Sequence, residues 1–106
     1  MSVFEVRIED DARVVISGEL DMATSPQLTS AIESLARGTD AQQVVLDMAR
    51  VSFMDSSGVA ALCLAKAKLE AQDAVLVLHR ASSQVESVLQ MVGLDGEFSR
   101  DAPPGG

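Results

Sequence analysis

The stretch from Gln42 to Gln72 constrains the fold more than any other. It carries a β-branched run, Val44-Val45-Leu46, then Phe53-Met54-Asp55-Ser56-Ser57-Gly58, then a long Ala/Leu-rich segment over 59–71. A short β-branched run closed by a polar break reads as a buried strand, and the periodic segment after it reads as a helix. Asp55, Ser56 and Ser57 thus fall where a helix begins. Each can accept a hydrogen bond from a free backbone N–H of the first turn, and Gly58 adds no side chain to shield those groups. Two hydroxyls are presented at the positive end of a helix dipole, at the kind of strand-to-helix turn where α/β proteins place their sites.

The rest of the chain arranges itself around this unit. Val3 to Ile8 alternates apolar and polar, as does the approach to Val14-Val15-Ile16, and the acidic break Glu9-Asp10-Asp11 between them predicts a hairpin. Ser17-Gly18-Glu19-Leu20-Asp21 reads as a tight polar turn leaving the second strand. Ser25-Pro26 is a good helix start, with Leu28, Ala31, Ile32 and Leu35 at helical spacing and Gly38 as the stop. The central strand is expected near Val44–Met48, and Ala74-Val75-Leu76-Val77-Leu78 reads as another buried strand. Ser83 with Glu86 forms an expected capping box for a last helix striped with Val85, Val88, Leu89 and Val92 and closed by Gly93. Phe98 is expected in a short extended segment.

The order ββαβαβα predicts one α/β domain over residues 1–99, a small mixed sheet of four or five strands with helices mainly on one face. Residues 100–106, ending Pro-Pro-Gly-Gly, read as a disordered tail.

Composition narrows the functions. At 106 residues there is room for one core, and with no Trp or Tyr that core must be aliphatic. The net charge is −8 and the eight Lys and Arg are spread singly along the sequence, so no basic patch, and hence no nucleic-acid partner, is expected. One Cys and one His exclude a disulfide framework and an ordinary zinc site. No export signal and no apolar run near ~18 residues is visible, so a cytoplasmic protein without membrane insertion is expected. Gly-x-Ser-x-Gly and the Walker motif are both absent, which disfavours a hydrolase built on Ser56 and His79, and nucleotide hydrolysis; no enzyme and no cofactor is expected.

Gly18-Glu19-Leu20-Asp21, Leu46-Asp47, Phe53-Met54-Asp55-Ser56-Ser57-Gly58 and the Val88–Phe98 end together resemble the STAS family of bacterial anti-sigma factor antagonists, from about Phe4 to Phe98. The resemblance implies a partner-switching regulator. In that family the first Ser of the motif is phosphorylated by a partner that is both serine kinase and anti-sigma factor, and a serine phosphatase reverses the modification. Carried onto this chain, the acceptor is Ser56, with Ser57 second, and Asp21 and Asp55 flank it. ATP would belong to the kinase. Other STAS proteins serve as subunits of lipid-transport complexes or as stressosome scaffolds, the alternative reading. The chain departs from the family at Ala60 and Ala61, at Gln72-Asp73-Ala74 in place of a Gly-rich turn, and in lacking the last helix of longer members.

The chemistry of a switch at Ser56 is coherent. A phosphoserine adds about −1.5 to −2 charge that a helix N-terminus stabilises, so the fold should tolerate it. Placed beside Asp21 and Asp55, the dianion would repel or need desolvation on docking. A loss of ~3–4 kcal/mol weakens a complex ~100- to 1000-fold. The docking surface is expected on the second helix. Leu62, Ala65 and Leu69 should face the sheet, while Ala60, Leu64, Ala67 and Ala71 form an opposite apolar stripe. Asp47 is read as an exposed strand-end carboxylate, Cys63 as a core or near-core residue, His79 as an unpartnered surface residue and the five Met as packing.

Overall fold

The computed structural model describes residues 3–10, 12–38 and 40–101. Among these residues five strands and three helices follow in the order β1 (Glu5–Ile8), β2 (Arg13–Leu20), α1 (Ser25–Gly38), β3 (Gln43–Met54), α2 (Ser56–Glu70), β4 (Val75–His79), α3 (Ser83–Met91) and β5 (Ser99–Arg100). One mixed sheet has the order β1-β2-β3-β4-β5. β1 and β2 pair antiparallel, and every later strand adds parallel to its predecessor. Because the crossovers all advance in one direction and βαβ units are right-handed, the three helices land on the same face. There Val14, Ile16, Leu46, Met48, Leu76 and Leu78 of the sheet meet Leu28 and Ile32 of α1, Leu62, Ala65 and Leu69 of α2, and Val85 and Leu89 of α3 in one aliphatic core. The expected tail beyond Asp101 lies outside the described residues. Arg100 belongs to β5, and Phe98 is buried just before it.

Three local expectations need correction. Residues 17–20 do not form a turn: β2 runs on to a fully buried Leu20. Gly18 makes this possible, since it has φ +96° and a Cβ there would lie 2.7 Å from the Val3 carbonyl oxygen. β3 does not end at Met48 but continues to Met54, and Phe53-Met54 is strand. Its core-facing residues are Val44, Leu46, Met48, Val51 and Met54, so the period of two slips twice. The slips coincide with irregularities in pairing with β2, where Val15↔Asp47 is followed by Ser17↔Arg50, and Gly18↔Val51 by Glu19↔Phe53. Two bulges hide a single long strand from a search for strict alternation.

The cap of α3 is Ser82, not Ser83. Ser82 Oγ accepts from the Val85 N–H at 3.3 Å and donates to the Val51 carbonyl at 2.7 Å. Glu86, expected to complete a box, instead receives both arms of Arg100. At the end of α2, Asp73 adopts φ +59° and does the work of the missing glycine.

Candidate functional site

The site lies where β2 and β3 end side by side. Leu20 pairs with Met54, and the Asp55 N–H donates to the Leu20 carbonyl at 3.3 Å, so Asp21 and Asp55 each follow directly from paired residues. Asp55 keeps an extended backbone, and its Oδ1 accepts from the N–H groups of Ser57 at 2.9 Å and Gly58 at 3.3 Å. It is therefore the N-cap of α2. With that task taken, Ser56 stands at the first helical position, exposed, and its hydroxyl makes no hydrogen bond to the described residues. Ser57, one step on, is half-buried.

Gly58 was expected to leave first-turn amides uncovered. It is buried, and a Cβ on it would come 2.5 Å from Met54 Cγ and 3.0 Å from the Leu20 carbonyl oxygen. Its absent side chain lets the first turn of α2 lie directly on the ends of both strands, so Gly58 shapes the site from beneath.

Asp21 is committed to its own turn. Its Oδ1 accepts from the N–H groups of Ala23 at 3.0 Å and Thr24 at 3.1 Å. Thr24 Oγ1 accepts the Asp21 N–H at 2.9 Å and donates to the Glu19 carbonyl at 2.7 Å. This knot fixes the entry to α1 and holds Asp21 at the strand end. Met22 projects from its tip into solvent.

The apolar stripe expected on α2 is open: Ala60, Leu64, Ala67 and Ala71 are all exposed, Leu64 by 46%. Helix α1 packs beside α2 but leaves a hollow of about 490 Å³ lined by Pro26 and Thr29 on one wall and Ser57, Ala60 and Leu64 on the other. On the other flank Phe53, 45% exposed, borders a smaller hollow with Ser83 and Val88. An uncommitted hydroxyl thus sits between apolar ledges and beside two carboxylates, a surface suited to protein docking whose charge one modification would change sharply. Among the described residues no group of three or more His, Cys, Asp and Glu could hold a metal ion, and no helix is long and apolar enough to cross a membrane.

Other residues singled out in the sequence lie elsewhere. Asp47 is buried at 4% exposure in mid-strand, not exposed at a strand end, because β3 continues beyond it. Burial pushes its carboxyl pKa up, but hydrogen bonds from Arg80 (2.8 Å) and the Ala49 N–H (3.1 Å), with the charges of Arg80 and His79, outweigh this and hold it below the usual value. His79 has a partner after all, since its Nδ1 lies 2.8 Å from Asp101. Cys63 is exposed rather than near-core, and Met22 and Met91 face solvent while Met48 and Met54 pack inside.

Comparison with known proteins places these features in a lineage. The STAS domain family matches residues 4–103. The anti-sigma-B factor antagonist of Listeria monocytogenes is 27% identical over 88 residues, covering 83% of this chain and 76% of its own. Among solved structures, the anti-sigma factor antagonist SpoIIAA in its unphosphorylated form is 28% identical with a TM-score of 0.73, over 94% of this chain and 89% of that one. The phosphorylated form of the Bacillus protein gives 0.67 at 27% identity, over 94% and 92%. An anti-sigma factor antagonist from Mycobacterium paratuberculosis gives 0.75 at 26% identity, over 94% and 85%.

Proposed function

The chain belongs to the STAS domain family, and from that premise we propose that it is an anti-sigma factor antagonist working in the cytoplasm by partner switching. Unphosphorylated, it binds an anti-sigma factor that is also an ATP-dependent serine kinase, and the sigma factor is released. The kinase phosphorylates Ser56, the complex weakens, and a serine phosphatase resets the cycle. The protein itself is not an enzyme and needs no cofactor.

The observation that carries this reading is the division of labour at the start of α2. Asp55 caps the helix, so the Ser56 hydroxyl supports no structure and is exposed for transfer. A phosphate on Ser56 displaces no buried group, and the adjacent helix terminus favours the added charge. Its cost falls on the complex instead, where the dianion would be desolvated between Asp21, Asp55 and the partner. Ala60 and Leu64, open beside Ser57, supply the apolar part of the interface. A structural relative solved in both phosphorylated and unphosphorylated forms is in keeping with a fold that survives the modification.

The test is incubation with the organism's anti-sigma-type kinases and Mg-ATP, followed by intact mass and site mapping. One phosphate on Ser56 is expected, with Ser56→Ala binding the kinase constitutively and Ser56→Asp binding at least 100-fold more weakly. A folded protein that takes no phosphate from any of them would shift the reading to a scaffold or lipid-transport subunit.

A further inference from the structure

The face of the sheet away from the helices carries a constellation that sequence reading missed. The basic residues, scattered singly along the chain, were expected to form no patch. Four of the eight, Arg7, Arg13, Arg50 and Arg80, nevertheless line one hollow of about 170 Å³. They come from β1, β2, β3 and the turn after β4, and the sheet register brings them together: Arg7 pairs with Val15, and Val15 with Asp47. Arg50 joins this face only because of the first bulge in β3. The bulge places Arg50 opposite Ser17, so Asp47 and Arg50 share a face although they are three residues apart. Bulges commonly re-aim a side chain beside a site.

Charge within the hollow is unbalanced. Two carboxylates, Asp47 and Glu9, face four guanidinium groups. Asp47 holds Arg80 at 2.8 Å and Arg13 at 3.5 Å, Glu9 lies 3.4 Å from Arg13 and 3.6 Å from Arg7, and Arg50 has no ion-pair partner among the described residues. A guanidinium carries five N–H donors, so most of the donors converging here remain unused. Asp47, buried and anchored on the central strand, acts as a post that splays two arginines. Arg80 is held there with φ +52°, a backbone strain tolerated only where the surroundings enforce it. All four cations are Arg, whereas both Lys of the chain sit on α2. The planar fork of Arg matches tetrahedral oxyanions in two-point contacts that Lys cannot make.

From these features we infer that the Arg7–Arg13–Arg50–Arg80 hollow binds the phosphate or diphosphate group of a small phosphorylated molecule. The hollow is below the ~300–1,000 Å³ typical of whole-ligand pockets, so it takes a charged headgroup and leaves the remainder of the molecule on the surface. Four guanidinium groups around one small hollow suit a compact polyanion better than an acidic peptide, whose carboxylates are strung along an extended chain. In a protein of net charge −8 this site is a local reversal of sign and does not depend on Ser56.

The test is NMR titration of the intact protein with inorganic pyrophosphate, and separately with magnesium-free ATP, following backbone amides and arginine Nε–Hε signals. Saturable shifts at these arginines and around Asp47 and Ser17 are expected. The double variant Arg7→Gln/Arg50→Gln should weaken binding at least tenfold with an unchanged melting temperature. Arg37→Gln/Lys66→Gln, which removes equal charge elsewhere, should bind as the wild type does. ATP binding no tighter than pyrophosphate would mean that the phosphates alone are read, and tighter binding that the nucleoside adds surface contacts; both support the site. Non-saturable drift, equal weakening by the two double variants, shifts confined to the start of α2, or binding of an acidic peptide without pyrophosphate would each overturn it.

Discussion

Helices α2 and α3 both begin with two adjacent serines, Ser56-Ser57 and Ser82-Ser83, yet a different residue caps each. In α2 the cap is Asp55, which lies ahead of the pair and leaves Ser56 exposed and uncommitted. In α3 the cap is the first serine itself, and Ser82 Oγ both accepts from Val85 and donates to Val51. The fourth residue counted from each cap is buried in both helices, Gly58 in one and Val85 in the other. A phosphate on Ser82 would break two interior bonds, while one on Ser56 would break none. A serine at a helix start is a candidate switch only when some other side chain does the capping.

Substitutions at these two helix starts should separate the roles, and the largest effect is expected at Gly58. Gly58→Val should overpack the contact with Met54 and Leu20 and cost about 2 kcal/mol or more, or roughly 10 °C in Tm for a domain of this size. A thermal melt checks this, and a shift of under a degree would mean that α2 can slide on the strand ends.

Ser82→Ala should come next, losing about 1–2 kcal/mol in denaturant unfolding, because it removes both the cap and the bond to the Val51 carbonyl. If Ser82→Ala were neutral, the two helix starts would be equivalent and the contrast would fail.

The start of α3 is also fastened through Arg80 and Asp47, two residues ahead of its cap and on the neighbouring strand. Asp47→Asn should cost about 1 kcal/mol at neutral pH. The folded-state pKa of Asp47 is held below its ordinary value, so its stabilisation is present above the ordinary carboxylate range and is lost as the pH falls through the folded pKa. The gap between wild type and Asp47→Asn should therefore close on acidification from about pH 5 downward. A gap that widens in acid would mean burial, not Arg80, governs this carboxyl.

The smallest effect on stability is expected at Ser56. Ser56→Asp should melt within about 0.5 kcal/mol of wild type, as surface substitutions away from special features do. Unfolding of this variant would mean that Ser56 is structural.

Much of this was legible because it depends on neighbours in sequence. The hairpin, the three helices and the strand-turn-helix that presents Ser56 follow from periodicity and capping chemistry within a few residues. The alternating pattern of β3 stops at Met48 although the strand does not, since two bulges make Ala49 to Phe53 break the alternation that marks a strand. The α3 cap was displaced by one residue because its deciding partner, the Val51 carbonyl, lies 31 positions away.

By itself the sequence determined the kinds and order of elements, the aliphatic core and the local chemistry at Asp55-Ser56-Ser57, all set by interactions of short range. Tertiary structure alone decided that Gly18 and Gly58 stand where backbone and helix approach too closely for a Cβ, that the α2 stripe stays open, and that Asp47 is buried. It also decided that four isolated arginines meet. Strand register and bulges bring residues 7, 13, 50 and 80 onto one face, and no local pattern encodes a distance between strands.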